Sequence, residues 1–403
     1  MVRRAARALS ALLRRPLPAP PDSVRLGPLR DGAFTSRLHD ERNAALLGIA
    51  LGVSFTVCFV TGVLSHAIQH PPSWFAWPTR PVSLYRVTQG LHVATGLASI
   101  PLLFAKLWTV FPKLWSWPPV ANISHALERL SLLALVGGAT FMLFTGLANI
   151  ALWYPFAFFF PSAHYMGAFI TIGALLIHIG TKATVTRRAL SRQLEAGQPY
   201  LGAPGALTRR GFLWSVVAAS GAVTLTTVGQ TVGPLRRLAL LAPRLPDRGV
   251  QGFPVNRSAA AAGVIDRAHD PGYTITVAGG VPRPFVVGID ELRAMPMYEA
   301  QLPIACVEGW SASPRWTGVR LRDLLDRAGA QATAAVRIES LQQTGRYRSS
   351  VLTSDQARDH LTLLAVAVDG EPLHLDHGFP CRLIAANRPG VMQTKWVTKV
   401  VVL

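Results

Sequence analysis

Apolar and polar positions are distributed unevenly along this chain. Five stretches in its first 235 residues contain no Asp, Glu, Lys or Arg, and each is about long enough to cross a hydrocarbon core of about 30 Å as a helix. The remainder has ordinary polarity, so buried helices of a large soluble core explain the pattern less well. We therefore predict five transmembrane helices, at residues 44–65, 87–105, 130–154, 165–181 and 211–235.

Basic residues indicate the orientation of these helices. Nine Arg precede the first helix, three Lys or Arg lie between the second and third, and six lie between the fourth and fifth, whereas the opposite connections hold only Arg80 and Arg86. By the positive-inside rule, the N-terminus is cytoplasmic and the C-terminal part is extracytoplasmic. The net charge of +19 is then mostly a topology signal, and it requires no nucleic-acid partner. We expect a multi-pass protein of the plasma membrane.

A basic motif stands directly before the fifth predicted helix. Thr208-Arg209-Arg210-Gly211-Phe212-Leu213 resembles the twin-arginine export signal, here at an internal position. Two Arg residues before a membrane helix are also typical of a plain positive-inside anchor, which is the alternative interpretation. Export in the folded state would suit a domain that acquires a cofactor in the cytoplasm.

Histidines in or beside the predicted helices are candidate haem ligands. His164 and His178 are 14 residues apart on the fourth helix, a rise of about 21 Å that places both on one face. His92 is level with His164 near the outer side, and His39 is level with His178 near the inner side. We predict two b-type haems, ligated by His92 with His164 and by His39 with His178. His66, His70 and His125 are reserve candidates, and helix capping or interhelical hydrogen bonding is the alternative role for each.

This arrangement resembles the four-helix di-haem cytochrome b subunits of formate dehydrogenases and related complexes, over roughly residues 35–185. The resemblance implies a bundle of four haem-binding helices, to which the fifth helix adds an anchor. The chain has no Cys-x-x-Cys-His motif, which fits haem b held without covalent attachment.

Cys306 is the most informative residue of the C-terminal part. It lies in LPIACVEGWSASPRW, without a Cys-x-x-Cys motif and without a nearby His, so it is a poor zinc or disulfide site. A lone thiolate suits a soft-ligand metal whose other sulfurs come from a cofactor. A buried structural thiol is the alternative, and it is the interpretation that we favour for Cys58 and Cys381.

The segment around Cys306 resembles the sulfite oxidase-type molybdopterin family, in which this Cys ligates molybdenum. The resemblance extends through Asp376-His377-Gly378, Asn387-Arg388-Pro389-Gly390 and Lys395-Trp396-Val397. It implies oxo transfer at a molybdenum-molybdopterin cofactor. We expect the protein to lack the extra dimerisation domain of eukaryotic sulfite oxidases, and the sequence shows no evident sulfite-binding Arg cluster, which argues against sulfite as the substrate. The positions that match pterin and phosphate contacts of the family are Asn256, Arg257, Arg382, Arg388 and Lys395.

The C-terminal part has mixed secondary-structure signals. Alternating or apolar runs predict strands at 273–277, 336–341, 363–368 and 396–403, and amphipathic patterns predict helices at 288–293 and 321–325. Asp369-Gly370 is typical of a hairpin turn. Few strand–helix–strand crossovers appear, which favours an α+β fold. The predicted organisation is a cytoplasmic tail (1–43), a cytochrome domain (44–185), a cytoplasmic loop (186–210), an anchor helix (211–235), a linker (236–255) and a molybdopterin domain (256–403).

Together these features predict a membrane-anchored molybdopterin-dependent oxidoreductase. Its b-type haems would connect an extracytoplasmic site to membrane quinone or to an electron-donor protein, and its substrate would be a small-molecule or protein-bound oxo compound, with sulfoxide reduction as one candidate. Oxidation of a sulfite-like substrate with inward electron flow is the competing enzyme hypothesis. A cytochrome carrying a cofactor-free binding domain is the non-enzyme alternative. Spacing alone defines neither the substrate nor the direction of electron flow.

Overall fold

A computed structural model gives the structure of residues 2–191, 207–229, 232–245 and 247–403. The middle of the predicted loop 186–210, including Arg192, and Pro246 of the predicted linker lie outside these residues. The chain forms two compact units. The first comprises Met1–Val60 and Val93–Thr224, and the second comprises Thr61–His92 and Leu225–Leu403.

Five long apolar helices confirm the predicted helical N-terminal region. By length and composition each could cross a membrane. They exceed most of the predicted spans because those spans stop at charged residues, whereas a helix continues until a capping signal ends it. After α1 (Val2–Leu13), the five are α2 (Glu41–Gln69), α3 (Leu84–Leu114), α4 (Ile123–Ala151), α5 (Phe160–Ser191) and α6 (Arg209–Val228).

Two helix ends show how the local sequence sets these bounds. The α4 helix starts seven residues before the predicted span because the Asn122 side chain accepts a hydrogen bond from the His125 N–H at 2.9 Å. The α6 helix ends at Val228, earlier than the predicted 235, immediately before Gly229. Gly is a poor helix former, and Pro234 excludes a regular helix a few residues later.

The C-terminal part is α+β with mixed sheets, as predicted. One sheet has the order β2 (Phe285–Gly288), β1 (Thr274–Gly279), β12 (Val397–Val402), β7 (Val336–Ser340) and β8 (Ser349–Leu352). Its β1–β12 pair is parallel and its other pairs are antiparallel. The second sheet is antiparallel, in the order β10 (Glu371–Pro372), β9 (Leu363–Val368), β6 (Arg315–Arg320) and β3 (Tyr298–Gln301), and β11 (Arg382–Ile384) also pairs with β9.

Strand β9 has a continuous apolar sequence because it is buried on both faces. Leu364 and Val366 belong to the core cluster that contains the strands of the first sheet, whereas Leu363, Ala365 and Val368 belong to the cluster around Cys306. A strand buried on both faces has no polar side to display. The predicted two-residue turn follows it, with Asp369 and Gly370 at φ 47° and 85°.

Short helices complete the C-terminal part. The predicted amphipathic helix is α10 (Leu321–Ala328), and it buries Leu321, Leu324, Leu325 and Ala328 on one face before it ends at Gly329 with φ 73°. The predicted helix at 288–293 is α9 (Ile289–Ala294). The others are α7 (Ala259–Ala262), α8 (Ile265–Ala268) and α11 (Ser354–Arg358).

Candidate active site

Cys306 lies at the start of a short hairpin loop. Strand β4 (Ile304–Ala305) pairs with β5 (Ser311–Ala312), and the Cys306 N–H donates to the Trp310 carbonyl oxygen at 2.9 Å. The Gly309 N–H donates back to the Cys306 carbonyl at 3.1 Å, and Gly309 has φ 88°, which strongly favours glycine. The Gly-Trp sequence therefore closes a tight loop that fixes the direction of the sulfur.

Two N–H groups approach the Cys306 sulfur. Nδ2 of Asn256 lies 2.8 Å from Sγ, and the backbone N of Glu308 lies 3.4 Å from it. Burial, with the Glu308 carboxylate as a second cause, raises the pKa of the Cys306 thiol to about 12. The N–H donors favour the thiolate and burial opposes it, and a metal cation bound to the sulfur would favour its deprotonation.

Arg244 supports this loop from the predicted linker. Its Nε lies 3.5 Å from Oε2 of Glu308, and its Nη1 donates to the Val255 carbonyl at 2.7 Å. Trp310 Nε1 donates to the same Glu308 oxygen at 3.4 Å. Arg244 was not predicted as a site residue, because the proline-rich residues 236–255 are typical of a linker. An Arg between two prolines of that linker was the available signal.

A pocket brings Cys306 together with four of the five predicted cofactor-binding residues. Asn256, Arg257, Arg382 and Lys395 all line it beside the sulfur. The sequence analysis did not single out Arg346 and Tyr347, which come from the segment between β7 and β8. Further lining residues are Trp310, Gln342, His377, Gln393 and Thr394.

The charged groups of this pocket fit an anionic cofactor. Burial lowers the pKa of Arg382 to about 9, and burial together with Arg382 lowers the pKa of Lys395 to about 7. Nε of Arg382 is buried and has no hydrogen-bond partner among the described residues. An anionic group such as a phosphate in this pocket would be stabilised by these two cations and would favour their charged forms. The pocket thus combines one sulfur ligand with cationic donors, as a phosphorylated metal-pterin requires.

Arg388, the fifth predicted contact, has a different environment. Its Nη1 donates to the Val351 carbonyl at 2.9 Å and to Oε1 of Gln356 at 2.6 Å, so it ties its loop to β8 and α11. It is buried, and this burial lowers its pKa to about 10. Arg388 therefore makes contacts that hold its loop, and it is not among the residues that line the pocket.

Two of the predicted haem ligands have matching surroundings. In the first unit, Nδ1 of His164 lies 2.8 Å from the Thr145 hydroxyl, and that hydroxyl donates to the Phe141 carbonyl at 2.8 Å. The Thr145 oxygen therefore accepts a hydrogen bond from the N–H at Nδ1 of His164. In the second unit, Nδ1 of His92 lies 3.4 Å from the Thr61 hydroxyl.

A glycine follows each threonine and lies against the imidazole. A Cβ at Gly62 would lie 2.9 Å from Cε1 of His92, and a Cβ at Gly146 would lie 3.4 Å from Cε1 of His164. The same Thr-Gly pair thus recurs opposite a histidine in two helix pairs. The recurrence of Thr-Gly in the sequence was a signal that the sequence analysis did not use.

The other candidate histidines differ from these two. Nδ1 of His39 lies 3.3 Å from the Thr109 carbonyl, and its ring lies 4.3 Å from the Trp108 ring. Lys106, Lys182 and Glu128 surround His178. Among the reserves, His66 and His70 contact each other with ring centroids 4.7 Å apart. Both ring nitrogens of His125 lie 3.1 Å from donors of its own segment, the Ala121 N–H and the Arg129 guanidinium.

Comparison with known proteins identifies the C-terminal part. Residues 262–403 match the family described as oxidoreductase molybdopterin binding domain. The chain is 32% identical over 126 residues to the uncharacterized oxidoreductase YuiH of Bacillus subtilis (strain 168). The aligned region covers 31% of this chain and 62% of that protein.

Two other relatives have described activities. Identity is 33% over 141 residues to the protein-methionine-sulfoxide reductase catalytic subunit MsrP of Xanthomonas axonopodis pv. citri (strain 306), covering 32% of this chain and 44% of that protein. Identity to the sulfite oxidase of Arabidopsis thaliana is 24% over 168 residues, covering 34% of this chain and 43% of that protein. The chain thus spans between about two fifths and three fifths of each of these relatives. Residues 262–403 therefore form a molybdopterin-binding oxidoreductase domain, and this part of the chain is similar in sequence to parts of MsrP and of sulfite oxidase.

Proposed function

We propose that this protein is a membrane-anchored reductase that removes oxygen from a sulfoxide at an extracytoplasmic molybdopterin site. One observation carries the proposal: the Cys306 sulfur, hydrogen-bonded by Asn256, opens into a pocket lined by Arg257, Arg382 and Lys395. The reaction consumes one sulfoxide, two electrons and two protons, and it yields a sulfide and one water.

The roles of the side chains follow from their positions. When bound, molybdenum held by a pterin dithiolene supplies two-electron oxygen transfer. Cys306 would be its protein ligand, and the Asn256 amide would hold the sulfur in its ligating direction. Arg382 and Lys395 would bind the anionic part of the cofactor. Burial raises the pKa of the Tyr347 phenol, so this group stays protonated at neutral pH on the wall of the pocket.

Sulfoxides are the favoured substrate class because of the relatives. The MsrP subunits of two Xanthomonas species, each 32–33% identical over 141 residues, are protein-methionine-sulfoxide reductases. Each match covers 44% of the relative, so the substrate remains part of the proposal. Sulfite oxidation with the electrons running inward is the opposing direction, and no contact of the described residues favours it.

The haems belong to the same proposal. We assign His92 and His164 as one ligand pair and His39 and His178 as the other. The threonine hydroxyl beside Nδ1 of each histidine supports the first pair, because a ligating imidazole usually donates its other N–H to an acceptor, as Nδ1 of His164 does to Thr145. The haems would carry electrons from quinone or from an electron-donor protein.

The two chain segments that form the second unit support an extracytoplasmic site. The positive-inside rule assigns the α2–α3 connection and the C-terminal domain to the same side of the membrane. Thr61–His92, which contains this connection, forms one compact unit with Leu225–Leu403. The fifth helix would then anchor the domain whose export it initiates.

Replacement of Cys306 by Ser tests the proposal. The variant should keep the haem bands but lose sulfoxide reduction, because a hard hydroxyl is a poor substitute for a thiolate on this metal. Membranes are reduced with quinol, methionine sulfoxide is added, and reoxidation of the haem bands is followed alongside molybdenum content. Cys58→Ser is the control, since Cys58 lies in α2, and it should behave as the wild type. Full activity of Cys306→Ser would refute the assignment.

A further inference from the structure

A buried polar network joins the ends of α2 and α3 within the second unit. The Ser65 hydroxyl donates to Oε1 of Gln89 at 3.0 Å and lies 3.2 Å from the Tyr85 hydroxyl. Nε2 of Gln69 lies 3.3 Å from the same Ser65 oxygen. We call Ser65, Gln69, Tyr85 and Gln89 the helix-end network. None of these residues was assigned a role above.

The helix-end network contacts the active site at two points. Nε2 of Gln89 donates to the carbonyl oxygen of Val307 at 3.1 Å, one residue beyond Cys306. The Tyr347 hydroxyl, on the wall of the pocket, donates to Oε1 of Gln69 at 3.0 Å. Hydrogen bonds therefore run without interruption from the Cys306 loop through both helices and back to the pocket.

Packing alone does not explain this network. Ser65, Tyr85 and Gln89 are 9%, 1% and 5% exposed. Polar side chains buried at the ends of apolar helices cost free energy unless every group is paired, and apolar side chains of similar volume would pack there without that cost. Polar residues retained in such helices are functional candidates.

Separate contacts hold the connection between α2 and α3 in place. Oδ1 of Asn387 accepts a hydrogen bond from the Tyr85 N–H at 2.6 Å, and its Nδ2 donates to the Pro78 carbonyl at 2.7 Å. Asn387 has φ 57°, a conformation that Asn tolerates better than most residues. The ion pair between Arg80 and Asp359, with contacts of 2.8 and 3.0 Å, holds the same connection further out.

Gln89 lies three residues before His92, about one turn away on the same helix. We propose that Gln89 is the positioning residue that couples the haem at His92 electronically to the Cys306 site. This inference rests on the proposed function. Two one-electron oxidations of haem iron, from ferrous to ferric, supply the two electrons that reduce one sulfoxide to a sulfide, while two protons enter and water leaves.

Measurements with two different electron donors distinguish a role of Gln89 in electron transfer from a purely structural role. The haems of the purified full-length protein are reduced and mixed with methionine sulfoxide, and the rate of haem reoxidation is measured. In parallel, dithionite-reduced methyl viologen drives sulfoxide reduction as a small donor that reaches the pocket without the haems. Gln89→Leu should slow haem reoxidation several-fold and leave viologen-driven activity and haem spectra unchanged. The control Arg80→Ala, which removes an ion pair of the same connection, should leave both rates unchanged.

Two results would overturn the inference: unchanged haem reoxidation in Gln89→Leu, or an equal loss of both activities. If Gln89→Leu does not accumulate, Gln89→Glu serves instead, because it keeps the acceptor for Ser65 but places an oxygen against the Val307 carbonyl. Failure of the proposed function is seen separately, since the wild type itself would then lack molybdenum and viologen-driven activity.

Discussion

Asn256 is the side chain that acts most directly on the Cys306 sulfur. Its amide donates at 2.8 Å to an atom that burial otherwise keeps protonated. A hydrogen bond to a charged acceptor contributes about 1.5–3 kcal/mol, so Asn256→Ala should lower sulfoxide reduction by roughly tenfold to a hundredfold. Asn256→Asp should be worse, because a carboxylate beside the sulfur opposes the thiolate.

Steady-state activity and molybdenum content of both variants check this prediction. The metal content should stay close to that of the wild type, because Cys306 itself is unchanged. Equal activity of the wild type, Asn256→Ala and Asn256→Asp would show that the amide has no influence on the sulfur. Loss of the metal in both variants would indicate a role in holding the cofactor.

Residue types in a distinctive local context could be predicted from the sequence. Cys306 was predicted from its Gly-Trp context and Asn256-Arg257 from their resemblance to the sulfite oxidase-type family, and the structure places them in one pocket. Arg346 and Tyr347 could not be found, because their approach to the pocket depends on the pairing of β7 with β8. Arg388 was predicted from the same resemblance. Its Nη1 donates to the Val351 carbonyl, while its Nε and Nη2 have no hydrogen-bond partner among the described residues, so its contact with the cofactor stays a prediction.

At the scale of elements, periodicity was sufficient where one rule dominated. The apolar run of β9 and the amphipathic pattern of α10 predicted their elements within a few residues. Absence of charge predicted the five apolar helices but not their ends, which depend on caps such as Asn122. The very short strands β4 and β5 lack any periodic signal, so the hairpin that carries Cys306 was not predicted as one.

Helices α4 and α5 offer a test of haem ligation within one unit. If His164 ligates haem iron, the Thr145 oxygen that accepts from its Nδ1 makes the imidazole a stronger donor and stabilises the ferric state. Thr145→Val should keep the haem but raise its midpoint potential, and Thr145→Ser should restore the wild-type value. Potentiometric titration of the haem bands measures both.

Other outcomes of that titration have clear meanings. An unchanged potential in Thr145→Val would remove the support that this hydrogen bond gives to His164 as a ligand. An equal shift in Thr145→Ser would indicate that the methyl group of Thr145, and not its hydroxyl, affects the haem.

At the scale of the whole molecule, the division into units does not follow the chain. Residues 61–92 comprise the end of α2, the connection to α3 and the start of α3. These residues form a compact unit with residues 225–403. Asn387 holds this connection through both of its amide atoms, and Trp77 donates to its backbone carbonyl at 2.8 Å. No local pattern predicts such contacts, because they join positions about 300 residues apart.

The basic motif before α6 has structural contacts as well as a candidate export role. The Thr208 hydroxyl accepts from the Gly211 N–H at 3.0 Å, and Arg209 pairs with Asp40 at 3.0 Å at the start of α2. These contacts suit an anchored cytoplasmic helix end, and lysines at 209 and 210 would preserve the positive charge. They do not explain why both residues should be arginine.

Conversion of both arginines to lysine decides between export signal and charge anchor. If Thr208-Arg209-Arg210 is read as a twin-arginine signal, the double-Lys variant should keep its first four helices inserted and haem-loaded, because their own flanking charges are unchanged. Its C-terminal domain should then stay inside and resist protease added to spheroplasts, whereas the wild-type domain is digested. Arg236→Lys with Arg237→Lys, beyond α6, is the matched control and should be digested like the wild type. If protease digests the C-terminal domain of the double-Lys variant, the motif acts only as a charge anchor and not as an export signal.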